Sequence, residues 1–229
     1  MLSRTPHVPP EEALKSRNHA AHPRLRWNIH NWLATHEYIV ESLPCLGPDS
    51  HEEIDAVADS LRAAARSGAI PSDRLEQWLQ DLDVASFAAK RALWYANALQ
   101  PESAVDDAEE GEATYHLVVA RDQLGSNSVR AFACFAVESS GETVTLLALC
   151  SLGGGVGRAL IGYVVDGLPD DVRVNVTPSR EWLRQTYYPK LGFSSMSNGD
   201  AVEHGTVAPS RVLMVGAGSC KRAVEEMMR

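Results

Sequence analysis

The chain has 229 residues, of which 45% are apolar, enough to bury the core of one large domain or two small ones. Its formal net charge of −9 argues against nucleic acid as a partner, because nucleic-acid binders carry a broad basic surface. The same charge favours cationic or neutral substrates. No apolar run is long enough for a membrane span, and the sequence does not open with a secretory leader. We therefore expect a cytoplasmic protein that binds neither nucleic acid nor membrane.

The cysteines and histidines do not form a recognisable metal or disulfide pattern. The four cysteines are far apart in the sequence: Cys45, Cys134, Cys150 and Cys220. They lack the paired spacing of a disulfide framework or a zinc site. Histidines are frequent near the N-terminus, and His30 and His36, six residues apart, come nearest to a metal-binding spacing. We expect free thiols and no bound metal.

The N-terminal region begins with a tail and continues into an amphipathic pattern. Residues 1–24 contain several prolines and basic residues with little apolar periodicity, which predicts a mobile tail. From Leu25 to about Ser42, apolar residues recur at steps of three and four, which predicts a helix. A strand over 36–45 is the alternative for the second part of this pattern.

Three further helices are predicted before residue 100. Ser50 with Glu53 three residues later has the pattern of a capping box, and Gly68 is a typical stop signal for the helix between them. The ranges 72–82 and 85–99 carry two more apolar stripes at helical spacing. The first hundred residues are therefore predicted to be mostly helical, with apolar faces that must be buried against another element.

A β-meander is predicted after the acidic run over 101–113. The ranges 115–121, 129–138 and 143–150 are rich in β-branched and apolar residues and are separated by turn signals. They should pair as antiparallel neighbours. The third strand is apolar along its whole length, so it should lie in the centre of a sheet.

A glycine-rich loop follows the third strand and opens a helix. Gly153, Gly154, Gly155 and Gly157 lack the Cβ atoms that would keep a ligand away from the backbone. The N-terminus of the next helix adds orphan amides and the positive end of a dipole, which together suit a pyrophosphate. A kinase-type phosphate loop would need Lys and then Ser or Thr after the last glycine, and Arg158 and the alanine after it do not fit. A dinucleotide fold fits only loosely.

A short strand over 172–176 and a helix over 178–188 complete this stretch. The helix start has the sequence GVGRALI, and the second helix ends in YYPKLGF. A strand, a Gly-x-Gly helix start, a second strand and a helix ending in this way resemble the GNAT superfamily of acyl-CoA-dependent N-acetyltransferases. The resemblance covers about residues 115–215.

The resemblance implies an α+β fold, a GNAT-like mixed sheet flanked by helices, preceded by a mostly helical N-terminal region. It divides the chain into a tail (1–24), a helical region (25–100), an acidic linker (101–113) and an acetyltransferase domain (114–229). The family places a first strand and two helices before the meander. In this chain the N-terminal region must supply them.

The resemblance also implies acetyl-CoA as cofactor and assigns site residues. Tyr188 takes the place of the general acid near the CoA sulfur, and a main-chain N–H around Leu149 to Ser151 would stabilise the oxyanion. The implied cofactor-binding residues are Leu149, Ser151, Leu152, Gly153, Gly154, Gly155, Val156, Gly157 and Arg158. Leu152 stands where the family usually has Arg or Gln, and residues 179–181 lack the family's frequent Asn.

The general base cannot be assigned from the sequence. Glu138, Glu142, His116 and His204 are candidates, and a water chain or an amine that is already deprotonated would also serve. The first hypothesis is an N-acetyltransferase that acts on an amine of a small molecule or of a protein. The alternatives are a non-catalytic acyl-CoA-binding module and an interaction protein that uses its N-terminal helices. Those helices should pack on the transferase half or on a second copy, which would give a homodimer.

Overall fold

The computed structural model describes residues 23–43, 46, 50–98, 113–123, 127–195 and 212–228, without the side chains of 84 and 88–98. Residues 1–22 of the predicted tail (1–24), residues 101–112 of the acidic run (101–113), Cys45 and the base candidate His204 lie outside the described residues. Pro23 and Arg24, predicted as part of the tail, are instead the first residues of a helix.

The helices of the described part fall into an N-terminal and a C-terminal group. They are α1 (Pro23–Thr35), α2 (His51–Arg66), α3 (Ser72–Ala98), α4 (Val156–Asp166) and α5 (Ala217–Met227). The prediction of two helices over 72–82 and 85–99 is wrong, because α3 is continuous. No Gly or Pro separates those two ranges, so nothing in the backbone interrupts the helix. Ser50 precedes α2 without a side-chain capping hydrogen bond, and α2 ends just before Gly68.

A seven-stranded mixed sheet forms the centre of the molecule. Its strands are β1 (Tyr38–Leu43), β2 (Thr114–Asp122), β3 (Val129–Val137), β4 (Thr143–Ser151), β5 (Arg173–Val176), β6 (Ser194–Ser195) and β7 (Leu213–Gly216). Their order across the sheet is β1-β2-β3-β4-β5-β7-β6. β4 and β5 are parallel and every other pair is antiparallel. The fold is therefore α+β, and the predicted meander is present as β2, β3 and β4.

The N-terminal region contributes a strand to this sheet. The helix predicted from Leu25 to about Ser42 ends at Thr35, and Glu37 adopts a left-handed conformation with φ of +58°. The chain then enters β1, which pairs with β2 in antiparallel register. The strand alternative over 36–45 is thus the one that the structure adopts. The edge of β2 decides this outcome, since backbone pairing there outweighs the helical spacing of the side chains.

Helices cover both faces of the sheet, and each face has a buried apolar core between sheet and helices. On the face covered by α4, Leu25, Ile29 and Leu33 of α1 are buried with α4 and α5; we call this the α4 face. On the other face, α2 and α3 bury residues such as Ile54 and Leu61 against β2, β3 and β4; we call this the α2–α3 face. The expectation that the N-terminal helices pack on the C-terminal half is therefore confirmed for the described residues.

Candidate functional site

Three consecutive glycines turn the chain from the end of β4 into α4. Gly153, Gly154 and Gly155 have φ angles of +95°, +64° and +93°. Other residues adopt this left-handed region only at a cost, so the path of the loop requires glycine. Gly155 is the residue that caps α4. The predicted helix start in the glycine loop is confirmed.

The loop leaves backbone amides without acceptors. The Arg158 amide donates to the Gly155 carbonyl oxygen at 3.0 Å, so it is used by the first turn of the helix. The amides of Gly154, Gly155 and Gly157 have no hydrogen-bond acceptor in the described part of the chain. They lie at the positive end of the 11-residue helix α4. Free amides at a helix N-terminus form a site suited to an anion such as a phosphate.

Aromatic residues of α1 and β1 support one side of the loop. A Cβ atom on Gly155 would lie 3.1 Å from the indole ring of Trp32, so the ring packs on the bare glycine. Trp32 in turn stacks on His36, with ring centroids 4.0 Å apart, and lies 5.9 Å from the ring of Tyr38. The Nδ1 atom of His36 is 2.8 Å from the carbonyl oxygen of Trp32. His36 therefore contributes to packing beside the loop.

A serine and a tyrosine approach the other side of the loop. A Cβ atom on Gly157 would lie 2.9 Å from the Oγ of Ser151 and 3.5 Å from the hydroxyl of Tyr187. The Tyr187 hydroxyl is buried without a hydrogen-bond partner among the described residues. Burial raises the pKa of Tyr187 to about 12, so this phenol is protonated at neutral pH. The ring of Tyr187 packs against the core of the α4 face, while its hydroxyl lies against the glycine loop.

The sheet opens between β4 and β5 directly below the loop. β5 pairs with β4 only from Thr143 to Leu146, whereas β4 continues to Ser151 and stays paired with β3. The register with β3 skips Leu147, so β4 carries a bulge where β5 ends. A bulge at such a point redirects the backbone and the side chains that follow it. Ala148 and Cys150 consequently pack on the α2–α3 face, although Leu146 packs on the α4 face.

Tyr188 is buried in the core of the α4 face. The helix predicted over 178–188 has become a π-helical turn, Leu183–Tyr187, followed by a 3₁₀ turn that begins at Tyr188. The Tyr188 ring makes edge contacts with Tyr187 at 5.2 Å and with Phe193 at 5.3 Å. Burial, with the neighbouring Tyr187 and Cys150, raises the pKa of Tyr188 well above its ordinary value. The group remains a proton donor at neutral pH.

Two predicted site residues direct their side chains into the protein. Leu152 packs beside the buried cluster of the α2–α3 face, which gives a structural reason for an apolar residue at that position. The Arg158 guanidinium donates to the carbonyl oxygen of Met227 at the end of α5. Its Nε atom is buried without a partner among the described residues. Arg158 is therefore near the loop, but its charge is held against the C-terminal helix.

The general-base candidates do not meet at the opening. Glu138 and Glu142 flank the turn between β3 and β4, so the nine residues of β4 separate them from the glycine loop. His116 lies on β2 and stacks on Phe135 of β3, with ring centroids 4.9 Å apart. No candidate with a described position is beside the glycine loop.

An unpredicted carboxylate lies closer to the loop. Asp81 of α3 accepts a hydrogen bond from the Cys150 thiol, with 3.1 Å between Oδ2 and Sγ. Asp81 and Cys150 are 69 residues apart, so no local sequence pattern links them. Burial and the Asp81 carboxylate raise the pKa of Cys150 well above its ordinary value, which keeps the thiol protonated. Cys134 and Cys220 are likewise buried free thiols.

No protein-family model matches the sequence, and no curated protein matches it either. Within the described residues, no helix is both long and apolar enough to cross a membrane.

Proposed function

We propose that this chain is an acetyl-CoA-dependent N-acetyltransferase of the GNAT type, which transfers an acetyl group to an amine of a small molecule or a protein. The observation that carries the proposal is the juxtaposition of two features. A loop of three left-handed glycines opens α4, and the sheet separates beside it between β4 and β5. A thioester cofactor needs both an anion site and a slot for its extended arm.

The order of elements supports the proposal. The resemblance implies a first strand and two helices before the meander, and β1, α2 and α3 occupy those places. After the meander follow the glycine loop, α4, β5 and the turns that carry Tyr188, in the implied order. Fold alone does not establish chemistry, so the argument depends on the residues of the site.

The loop fits a pyrophosphate through its backbone. The amides of Gly154, Gly155 and Gly157 have no acceptor in the described part of the chain, and a Cβ on Gly153 or Gly154 would meet no protein atom within 4 Å. Phosphate oxygens are therefore free to approach these amides closely. The positive end of α4 adds a favourable potential, to which the nearby guanidinium of Arg158 contributes without direct contact.

The slot between the strands fits the acyl-bearing arm. Ala148 to Ser151 pair with β3 but have no strand partner on the other side in the described part of the chain. The unpaired edge of these residues and the bulge at Leu147 present backbone groups. An extended ligand can pair with these groups as an added strand would. An amide at this edge is suited to stabilise an oxyanion. Acetyl-CoA supplies the activated acyl group, and the chain's own residues orient it and exclude water.

Tyr188 is suited to protonate the departing thiolate. Its pKa is raised by burial, so the phenol keeps its proton at the pH at which the reaction runs. The buried ring is fixed by edge contacts with Tyr187 and Phe193, which restricts the direction of the hydroxyl. A fixed donor that keeps its proton is what general acid catalysis of thiolate departure requires.

Thiol release with a panel of amines tests this function. Purified protein is mixed with acetyl-CoA and each amine, and free CoA is measured with a thiol reagent while calorimetry measures CoA affinity. Burial raises the pKa values of Cys134 and Cys220 to about 12 and that of Cys150 further, so these thiols add little background. Amine-dependent release supports the proposal. CoA binding without release for any amine would favour the acyl-CoA-binding module, and no binding at all would overturn both.

A further inference from the structure

The proposed function leaves one proton without an acceptor, because a protonated amine cannot attack a thioester. The carboxylates predicted as bases, Glu138 and Glu142, are at the far end of β4 from the glycine loop. A group that takes the proton must approach the part of β4 that has separated from β5.

Asp81 meets that requirement. Its Oδ2 atom accepts a hydrogen bond from the thiol of Cys150, which is one residue before the end of β4. Its Oδ1 atom accepts a hydrogen bond from the side-chain amide of Gln77 at 2.9 Å. These two hydrogen bonds hold the carboxylate over the separated part of the strand. Asp81 itself is half-buried, so part of its side chain remains accessible. Carboxylate oxygens carry enough lone pairs to accept a further proton donor while keeping both bonds.

Asp81 and Tyr188 lie on opposite faces of the sheet. Asp81 comes from α3 on the α2–α3 face, and Tyr188 is buried in the core of the α4 face. Cys150 links the two, since its thiol donates to Asp81 and it is among the groups that raise the pKa of Tyr188, after burial and Tyr187. A thioester seated beside the Tyr188 hydroxyl would thus have a carboxylate on the other side.

The charge of Asp81 is not neutralised by a basic residue. Among the described residues, no Lys or Arg forms an ion pair with it, whereas Glu41, Asp122 and Asp166 are each paired with an arginine. A half-buried carboxylate without a counter-ion attracts a cationic ligand. In a chain of net charge −9, the negative charge of Asp81 favours an ammonium group over an anionic acceptor.

We propose that Asp81 binds the acceptor as a cationic amine and acts as the general base of the transfer. This inference rests on the proposed function. Asp81 takes a proton from the ammonium group and releases it to solvent. The amine then attacks the thioester carbon, so that a C–N bond forms and Asp81 accepts the second nitrogen proton. The C–S bond breaks, the thiolate takes the Tyr188 proton, and the proton on Asp81 restores Tyr188 through solvent. The products are an amide, free CoA and one released proton.

Asp81→Asn tests the assignment, and Asp83→Asn is the matched control because Asp83 is exposed on the same helix. We expect Asp81→Asn to lower kcat/KM at neutral pH by roughly 10²–10⁴-fold, the usual range for a general base. CoA affinity and thermal midpoint should stay at the wild-type values. The deficit should shrink as the pH approaches the pKa of the amine, since solvent then removes the proton. Asp83→Asn should behave like the wild type, and Asp81→Glu should recover part of the lost rate.

Two results would overturn the role of Asp81: a wild-type rate in Asp81→Asn, or a deficit that is equal at all pH values. The second result would indicate a structural effect. Within the described part of the chain, the titratable group hydrogen-bonded to Asp81 is the Cys150 thiol on β4, which burial keeps protonated throughout this range. If the wild type turns over no amine, the proposed function fails first, and the Asp81 assignment fails with it.

A readout independent of turnover checks the placement of the carboxylate. Asp81 raises the pKa of Cys150 by its charge and its hydrogen bond, in addition to the effect of burial. Asp81→Asn should therefore lower the pKa of Cys150 and speed its alkylation by a maleimide. Mass spectrometry of the labelled peptide measures the rate. The Asp83→Asn variant should leave the rate of labelling unchanged. Equal labelling rates in both variants would refute the placement of Asp81 beside Cys150.

Discussion

Gly154→Asp should abolish CoA binding while leaving the protein folded. Gly154 has φ of +64°, and a Cβ there would meet no protein atom within 4 Å. Asp tolerates this left-handed region, at a cost of about 1 kcal/mol in folding free energy. A negative charge at the N-terminus of α4 gains about 0.3–1 kcal/mol from the helix dipole, so most of that cost is offset. The variant should melt within a few degrees of the wild type.

The same carboxylate repels a bound phosphate. At a separation of about 5 Å and an effective dielectric constant of about 20, each pair of unit charges costs about 3 kcal/mol. This corresponds to a loss of about 10² in CoA affinity for each negative charge at that distance. Stability and affinity should therefore change independently, which distinguishes a blocked anion site from a misfolded loop.

Calorimetric titration with CoA and a thermal melt together provide the assay. Gly154→Asn has the same shape without the charge and should keep most of the affinity. Gly68→Asn is the remote control, because Gly68 also has a positive φ, +76°, and open space around it. Wild-type affinity in Gly154→Asp, or an equal loss in Gly154→Asn, would refute the reasoning that the loop binds an anion through its amides.

Three further predictions concern the slot, the N-terminal helices and alkaline pH. Tyr188→Phe should keep the fold and CoA affinity but lower turnover by roughly 10²–10⁴-fold, and a wild-type rate would show that Tyr188 is not the acid. A 113–229 fragment should aggregate, because it lacks α1, α2 and α3, which cover both faces of the sheet; a soluble monomer that binds CoA would contradict this. The raised pKa values of Tyr187 and Tyr188 imply that the free energy of unfolding falls as pH rises above about 10, where unfolded tyrosine ionises first. Denaturant titrations between pH 8 and pH 11 check this, and constant stability would contradict it.

The general pattern of the C-terminal half could be predicted because its signals are local. Strands β2, β3 and β4 are rich in β-branched and apolar residues, and most of each strand is buried. The glycine loop was identifiable for a related reason, since consecutive residues without Cβ atoms limit what the backbone there can do. In these segments, short-range preferences and tertiary packing favour the same structure.

Tertiary contacts decided the remaining features. The residues of β1 carry helical spacing, but pairing with β2 makes them a strand. The predicted helix before Tyr188 winds instead as a π-helical turn, which places the Tyr187 hydroxyl against Gly157. Arg158 is one of the implied cofactor-binding residues, and its guanidinium is held by the end of α5. In each case a partner distant in sequence outweighs the local preference.

The sequence by itself determined that a glycine loop opens α4 and that a phenol follows β5, because backbone freedom and side-chain chemistry belong to single residues. Only the tertiary structure decided that β4 and β5 separate beside this loop. It also brought Asp81 to Cys150 across 69 residues. The contact between Asp81 and Cys150 depends on the direction in which α3 crosses the sheet. Burial of the apolar faces of the helix and the sheet determines that direction, and no local sequence motif encodes it.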